Sequence, residues 1–144
     1  MNPSKTTYRL MTQKDRKHCR SLMQKAAFEF RTDLLRSRLG FPTVVADRAG
    51  VLLGFISTVP SNTEIVAGPL VIDPAIKNRG PTALHLLEAY DNLMRAAGVV
   101  EYLFWVDEAN TYWLKILAKL DLTHYATNND QLWFKRPLWT AAVA

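Results

Sequence analysis

Leu70-Val71-Ile72-Asp73-Pro74 reads as the end of a buried strand, and it runs through a turn into Lys77-Asn78-Arg79-Gly80-Pro81-Thr82, where a long helical pattern begins. Such a junction gathers successive backbone N–H groups at the positive end of a helix dipole, a concave anion site suited to a pyrophosphate. Gly80 permits close approach, and Pro81 in the first helical turn gives up an N–H that has no helical partner. Lys77 and Arg79 can add charge-assisted bonds to phosphate oxygens. The same residues also suit an ordinary helix start with two solvated bases, so the surrounding elements must decide between the two.

Few other residues carry chemistry by pattern. His18, His85 and His124 stand on separate segments with no pair at metal-ligand spacing, and no metal is expected. Cys19 is the lone cysteine, which excludes an intrachain disulfide and a multi-cysteine zinc site and suits a reducing cytoplasm. The 144 residues are 49% hydrophobic and 22% charged, the make-up of one globular domain with a full core over residues 1–144. No apolar run reaches membrane-spanning length and Met1 to Lys5 is polar, so a soluble, cytoplasmic protein with no membrane partner is expected. The net charge of +5 is uneven, with +7 in residues 1–60 and −2 in residues 61–144. Arg16, Lys17, Arg20, Arg36 and Arg38 would serve a nucleic-acid-binding module, a reading ranked last because no recognised nucleic-acid motif accompanies them.

The elements that must position the turn follow from periodicity. Thr7 to Met11 predicts a first strand, and Thr12 with Asp15 resembles a capping box. Cys19, Leu22, Met23, Ala26 and Ala27 recur at helical spacing, with Lys14, Arg16, Lys17, Arg20 and Lys25 on the other faces. A second short helix is expected over Arg31 to Leu39, ended by Gly40 and Pro42. Thr43 to Asp47 and Val51 to Pro60 form a hairpin across Arg48-Ala49-Gly50. Thr63 to Ile72 is a strand interrupted at Gly68-Pro69, where the ladder should part. The helix with Leu84, Leu87, Leu93 and Met94 closes at Gly98, followed by a strand over Glu101 to Val106 and a helix over Asn110 to Leu120. A terminal hairpin is expected around Asn128-Asn129-Asp130. A hairpin meander feeding a β-α-β unit implies a mixed sheet with helices on its faces.

With this order of elements and this turn, the chain resembles the GNAT family of N-acetyltransferases over essentially its whole length. In that family the fourth strand leads into a Gln/Arg-x-x-Gly-x-Gly/Ala turn that holds the pyrophosphate of acetyl-CoA. Lys77, Gly80 and Thr82 stand at the three positions here, with Asn78, Arg79 and Pro81 between them. Lysine for Gln or Arg and threonine for a small residue are departures. The family also parts its fourth and fifth strands at a bulge, leaving a slot where the pantetheine arm bonds to exposed backbone. Gly68-Pro69 falls at such a bulge, Leu70, Val71 and Ile72 follow it, and Val106 ends the opposite wall. An Asn opening the next helix and a Tyr-x-Lys-Leu-Gly-Phe-like end are matched by Asn110 and by Leu117-Ala118-Lys119-Leu120-Asp121-Leu122. Leu117 replaces the frequent general-acid Tyr, and Asp121 and Leu122 replace Gly and Phe.

The resemblance implies an α/β (α+β) GNAT-like fold: a mixed, mostly antiparallel sheet of six to seven strands, helices on both faces, and a splayed fourth and fifth strand. It implies acetyl-CoA as co-substrate, held by Leu70, Val71, Ile72, the Lys77 to Thr82 turn and Asn110, and an amine acceptor on a protein or small molecule. Glu64 is the candidate general base, and Tyr112 and Tyr125 are the candidate substitutes for the missing proton donor. A catalytically silent relative that binds CoA or a protein partner is the alternative. Asn110 with Leu114-Lys115 and Gln131 to Phe134 is also similar to small acetyltransferase-like proteins of bacteriophages, which would place the chain in a host cytoplasm. Part of the aromatic C-terminal half, Phe104, Trp105, Trp113, Trp133, Phe134 and Trp139, is available to line an acceptor pocket. The basic surplus beside the expected acceptor entrance favours an acidic acceptor surface, and a homodimer is one expected assembly.

Overall fold

A computed structural model describes residues 5–30, 39–59, 64–77 and 79–138. Strands β1 (Thr6–Leu10), β2 (Val44–Arg48), β3 (Val51–Val59), β4 (Val66–Ile72), β5 (Glu101–Asp107), β6 (Ala126–Asn128) and β7 (Gln131–Pro137) form one sheet. Its order is β1-β2-β3-β4-β5-β7-β6, and every neighbouring pair is antiparallel except β4 with β5. Helices α1 (Arg16–Phe30), α2 (Arg79–Ala96) and α3 (Thr111–Lys119) complete the described elements. The expected mixed, mostly antiparallel sheet of six to seven strands is therefore present, with seven.

Strand alternation divides the core between the helices. Along β2 and β3, Val45, Leu52 and Phe55 pack with Cys19, Leu22, Met23 and Ala26 of α1. Val44, Ala46, Leu53 and Ile56 pack instead with Leu86, Leu87, Tyr90 and Met94 of α2, so helices cover both faces. The apolar positions expected on α1 are all buried, and Lys14, Arg16, Lys17, Arg20 and Lys25 are exposed.

The break in β4 is a bulge. Ile56 pairs with Leu70 and Thr58 with Ala67, so Ser57 alone faces Gly68 and Pro69, and Gly68 takes a φ of 141°. On the other edge of β4 the parallel ladder with β5 has a single register pair, Val66 with Leu103, supported by the Leu103 N–H donating to the Ile65 carbonyl at 2.8 Å. The strands part from there, as the Gly-Pro pair predicts.

Helix α2 is bonded to the sheet on both sides of that fork. The Tyr90 hydroxyl lies 2.6 Å from Thr58 Oγ1 on β3. The Asp91 carboxylate accepts from the Tyr102 hydroxyl of β5 at 2.6 Å and from Arg136 of β7 at 2.8 Å. Asp91 is 2% exposed, so its charge is balanced within the core by that guanidinium.

Several boundaries differ from expectation by one to three residues. The first strand starts one residue earlier, and the Thr12–Asp15 box opens a single 3-10 turn, Gln13–Asp15, ahead of α1. There Asp15 accepts the Thr12 N–H at 2.7 Å but is also held by Arg9, and this shared demand fixes the turn. The strand expected from Thr63 begins at Val66, residues 60–63 being outside the described ones. The helix expected over Arg31 to Leu39 falls almost wholly on residues 31–38, also outside them, as do Arg36 and Arg38.

Candidate functional site

The open fork exposes backbone. The Asp73 N–H donates to the Leu53 carbonyl at 2.8 Å, which makes Asp73/Leu53 and Val71/Phe55 the hydrogen-bonded pairs of this antiparallel ladder. Leu70 and Ile72, between them, direct their N–H and C=O toward β5, which pairs with β4 no further than Leu103. Of the three strand residues expected at the cofactor, two thus present backbone to the slot, and Val71 spends its backbone on β3. Glycine is required opposite: a Cβ on Gly54 would stand 2.6 Å from the Val71 carbonyl oxygen.

The slot leads directly into the turn before α2. Asp73 anchors it by accepting the Ala75 N–H at 2.9 Å and Lys25 Nζ at 2.7 Å, which ties α1 to the end of β4. Burial pushes the Asp73 carboxyl up, but the Lys25 ammonium and the Ala75 N–H more than offset it and hold the pKa below the usual range. Beyond it Lys77 is exposed, Arg79 half-buried, Gly80 buried, Pro81 exposed and Thr82 buried, while Asn78 lies outside the described residues. The first turn of α2 contains no acidic residue, so nothing there opposes an anion at the helix N-terminus.

Helix α3 borders the same turn. Asn110 is its N-cap, its side chain accepting the Trp113 N–H at 3.3 Å. Leu117 is 2% exposed and fills its position with an aliphatic side chain in the core. Tyr112, on the first turn of α3, places its hydroxyl 2.6 Å from where a Cβ on Gly80 would stand. The two residues are 32 apart in the chain, and the tertiary structure brings them together.

The three expected catalytic residues are not gathered. Glu64 stands two residues before β4, at the closed end of the fork next to the Ile65–Leu103 bond. Tyr112 stands at the far end, past Ile72, and four residues of strand from Gly68 to Ile72 already span about 13 Å. Tyr125 leads into β6, with its N–H on the Trp133 carbonyl and Lys135 Nζ 4.8 Å from its ring centre, so β7 lies between it and the slot.

A polar cluster not singled out from sequence adjoins the bulge. Ser57, facing Gly68 and Pro69, accepts the Gly40 N–H at 2.9 Å and contacts Thr43 Oγ1 at 2.7 Å, while Thr43 donates to the Gly40 carbonyl. Ser and Thr within an apolar β-branched run were the available signal. Trp105 is half exposed on β5 and pairs in register with Trp133 on β7. Among the described residues no group of three or more His, Cys, Asp or Glu is placed to hold a metal, and no helix is long and apolar enough to cross a membrane.

No protein-family model matches the sequence, and no curated protein matches it. Solved structures do match. The PaiA N-acetyltransferase of Thermoplasma acidophilum, in complex with coenzyme A, superposes with a TM-score of 0.76 at 13% identity, over 92% of this chain and 99% of that one. The ribosomal-protein-S18-alanine N-acetyltransferase of Escherichia coli gives 0.72 at 15% identity, over 95% and 96%. The aminoglycoside 6'-N-acetyltransferase of Enterococcus faecium gives 0.71 at 12%, over 93% and 98%. The fold is therefore that of the GNAT acetyltransferases, with the parallel, parted β4–β5 pair at its centre.

Proposed function

We propose that the chain is a GNAT-family N-acetyltransferase, one domain over residues 1–144, that moves an acetyl group from acetyl-CoA to an amine. The observation that carries this reading is the parted β4 edge, Leu70 and Ile72, at the end of the strand that precedes the Gly80 turn. A pantetheine arm would bond along that edge and the diphosphate would rest at the start of α2, with Lys77 and Arg79 supplying charge. Structural neighbours bound to coenzyme A support it.

Acetyl transfer needs little acid-base chemistry once the reactants are aligned. A neutral amine attacks the thioester carbonyl, backbone N–H groups of β4 stabilise the oxyanion, the C–S bond breaks, the amine proton passes through water to the base, and the thiolate takes a proton from solvent. A thiol of ordinary pKa, near 8.5, leaves without strong protonation, so Leu117 in place of a Tyr is compatible with turnover. Glu64 serves as the base through water. The exposed Lys14 in the turn before α1 and Arg16, Lys17 and Arg20 on α1 favour an acidic acceptor surface. A cytoplasmic location fits the lone buried Cys19. The second reading, a silent relative that only binds CoA, is favoured by the buried Leu117.

Titration calorimetry with acetyl-CoA tests the binding common to both readings, and heat of binding lost on Gly80→Leu is the expected result. Absence of binding by the wild-type chain overturns both. Thiol release with a panel of amines then separates them: turnover supports the enzyme, and Glu64→Gln should lower it about tenfold or more below pH 8. An active enzyme indifferent to Glu64→Gln across pH shows that the base is elsewhere.

A further inference from the structure

Tyr112 is the residue whose place the chain order gives least reason to expect. Tyr112 is 53% exposed, yet its hydroxyl lies against Gly80, the point of the α2 turn that lacks a side chain. The Asn110 cap and an edge contact with Trp113, ring centres 6.4 Å apart, order the first turn of α3 that carries it. A phenol there has an O–H to donate, and the first turn of α2, which Arg79 opens two residues after Lys77, holds no carboxylate. A proton donor to the departing thiolate would instead have to stand at the bulge, about 13 Å back along β4.

We propose that Tyr112 binds the diphosphate of acetyl-CoA, its hydroxyl donating to a phosphate oxygen over Gly80, and that it takes no part in proton transfer. This rests on the acetyl-CoA reading above. Gly80 is then needed twice over, to admit the phosphate and to admit the phenol: a methyl group there collides with the hydroxyl at 2.6 Å, whereas the next Tyr112 atom, Cζ, lies at 3.8 Å.

The test is Tyr112→Phe, assayed with acetyl-CoA and with S-acetylpantetheine, a thioester donor lacking the diphosphate, alongside calorimetry with CoA. One charge-assisted hydrogen bond lost should weaken CoA about tenfold and raise KM for acetyl-CoA by a similar factor. Selectivity for acetyl-CoA over the truncated donor should fall to match. Gly80→Ala should also weaken CoA, and Gly80→Ala with Tyr112→Phe should lose less than the product of the two, because the clash is gone. A fall in kcat with both donors, KM holding, would make Tyr112 a proton donor and overturn the proposal. So would unchanged or tighter CoA binding, the latter marking Tyr112 as an obstruction. If the wild-type chain binds no CoA at all, the acetyltransferase reading itself falls, and that result is visible before any variant is made.

Discussion

Asp15 shows how a single side chain sets a measurable property. Its carboxylate is gripped by Arg9 at 2.7 Å and by the Thr12 N–H, which outweigh its burial and hold its pKa far below the usual carboxylate value. Arg9 in turn bridges to Asp47 at 3.0 Å, so one guanidinium joins β1, β2 and the start of α1. A depressed folded-state pKa contributes stability that is complete above the unfolded value near 4 and is lost as pH falls below it. Asp15→Asn should therefore lower stability by about 1–2 kcal/mol at pH 7, the partial exposure of Arg9 limiting the effect. It should also flatten the decline between pH 5 and pH 2, as denaturant titrations at several pH values would show. Cys19 illustrates the opposite shift, burial among α1 core residues pushing its thiol up to about 12. Such a thiol stays protonated and unreactive, so it leaves assays of released CoA undisturbed.

At the scale of elements, α2 and α3 end in the same way with different residues. Gly98 follows α2 at φ 81°, with the Val99 N–H on the Met94 carbonyl and the Gly98 N–H on that of Arg95. Asp121 follows α3 at φ 59°, with Leu122 bonded to Leu117 and Asp121 to Ala118, the two bonds of a Schellman motif. The glycine position of the family-like end is thus kept in conformation and lost in residue type, which explains why the sequence matched it only in outline. Asp tolerates the left-handed region at a cost that glycine avoids. Asp121→Gly should raise stability by about 0.5 kcal/mol after allowing for the extra freedom of glycine when unfolded, seen as a small rise in Tm. Legibility at this scale was high because turns and caps are local. Gly68-Pro69 announced the bulge and Ala49-Gly50 the hairpin, where both residues take positive φ in a two-residue loop.

For the whole molecule, α2 links the two sides of the sheet across the fork, through Tyr90 and Thr58 of β3 on one side and Asp91 with Tyr102 and Arg136 on the other. Removing the Asp91 carboxylate leaves Arg136 without its partner, so Asp91→Ala should cost about 3 kcal/mol, at the lower end for a buried pair because Arg136 keeps some solvent. All four tryptophans, Trp105, Trp113, Trp133 and Trp139, lie in β5 or later in the sequence. In the wild type, fluorescence and far-UV circular dichroism should report one coincident unfolding transition, as one domain requires. In Asp91→Ala the fluorescence transition should come first, since the β5–β7 half loses its tie to α2. Coincident transitions in the variant would mean that the sheet alone holds the halves together.

By itself the sequence determined whatever depends on neighbours in the chain: the alternation of strands, the apolar stripe of α1, the bulge at Gly68-Pro69 and the Gly80 turn opening α2. Those signals are periodicities and backbone permissions, and they need no partner to be read. Only the tertiary structure decided which backbone groups of β4 are left to the slot, because that depends on the register with β3 and on where β5 diverges. It also separated Glu64, Tyr112 and Tyr125 to three different places and set the Tyr112 hydroxyl on Gly80. Contacts between residues distant in the chain are fixed by packing of whole elements, and no local pattern in either segment encodes them.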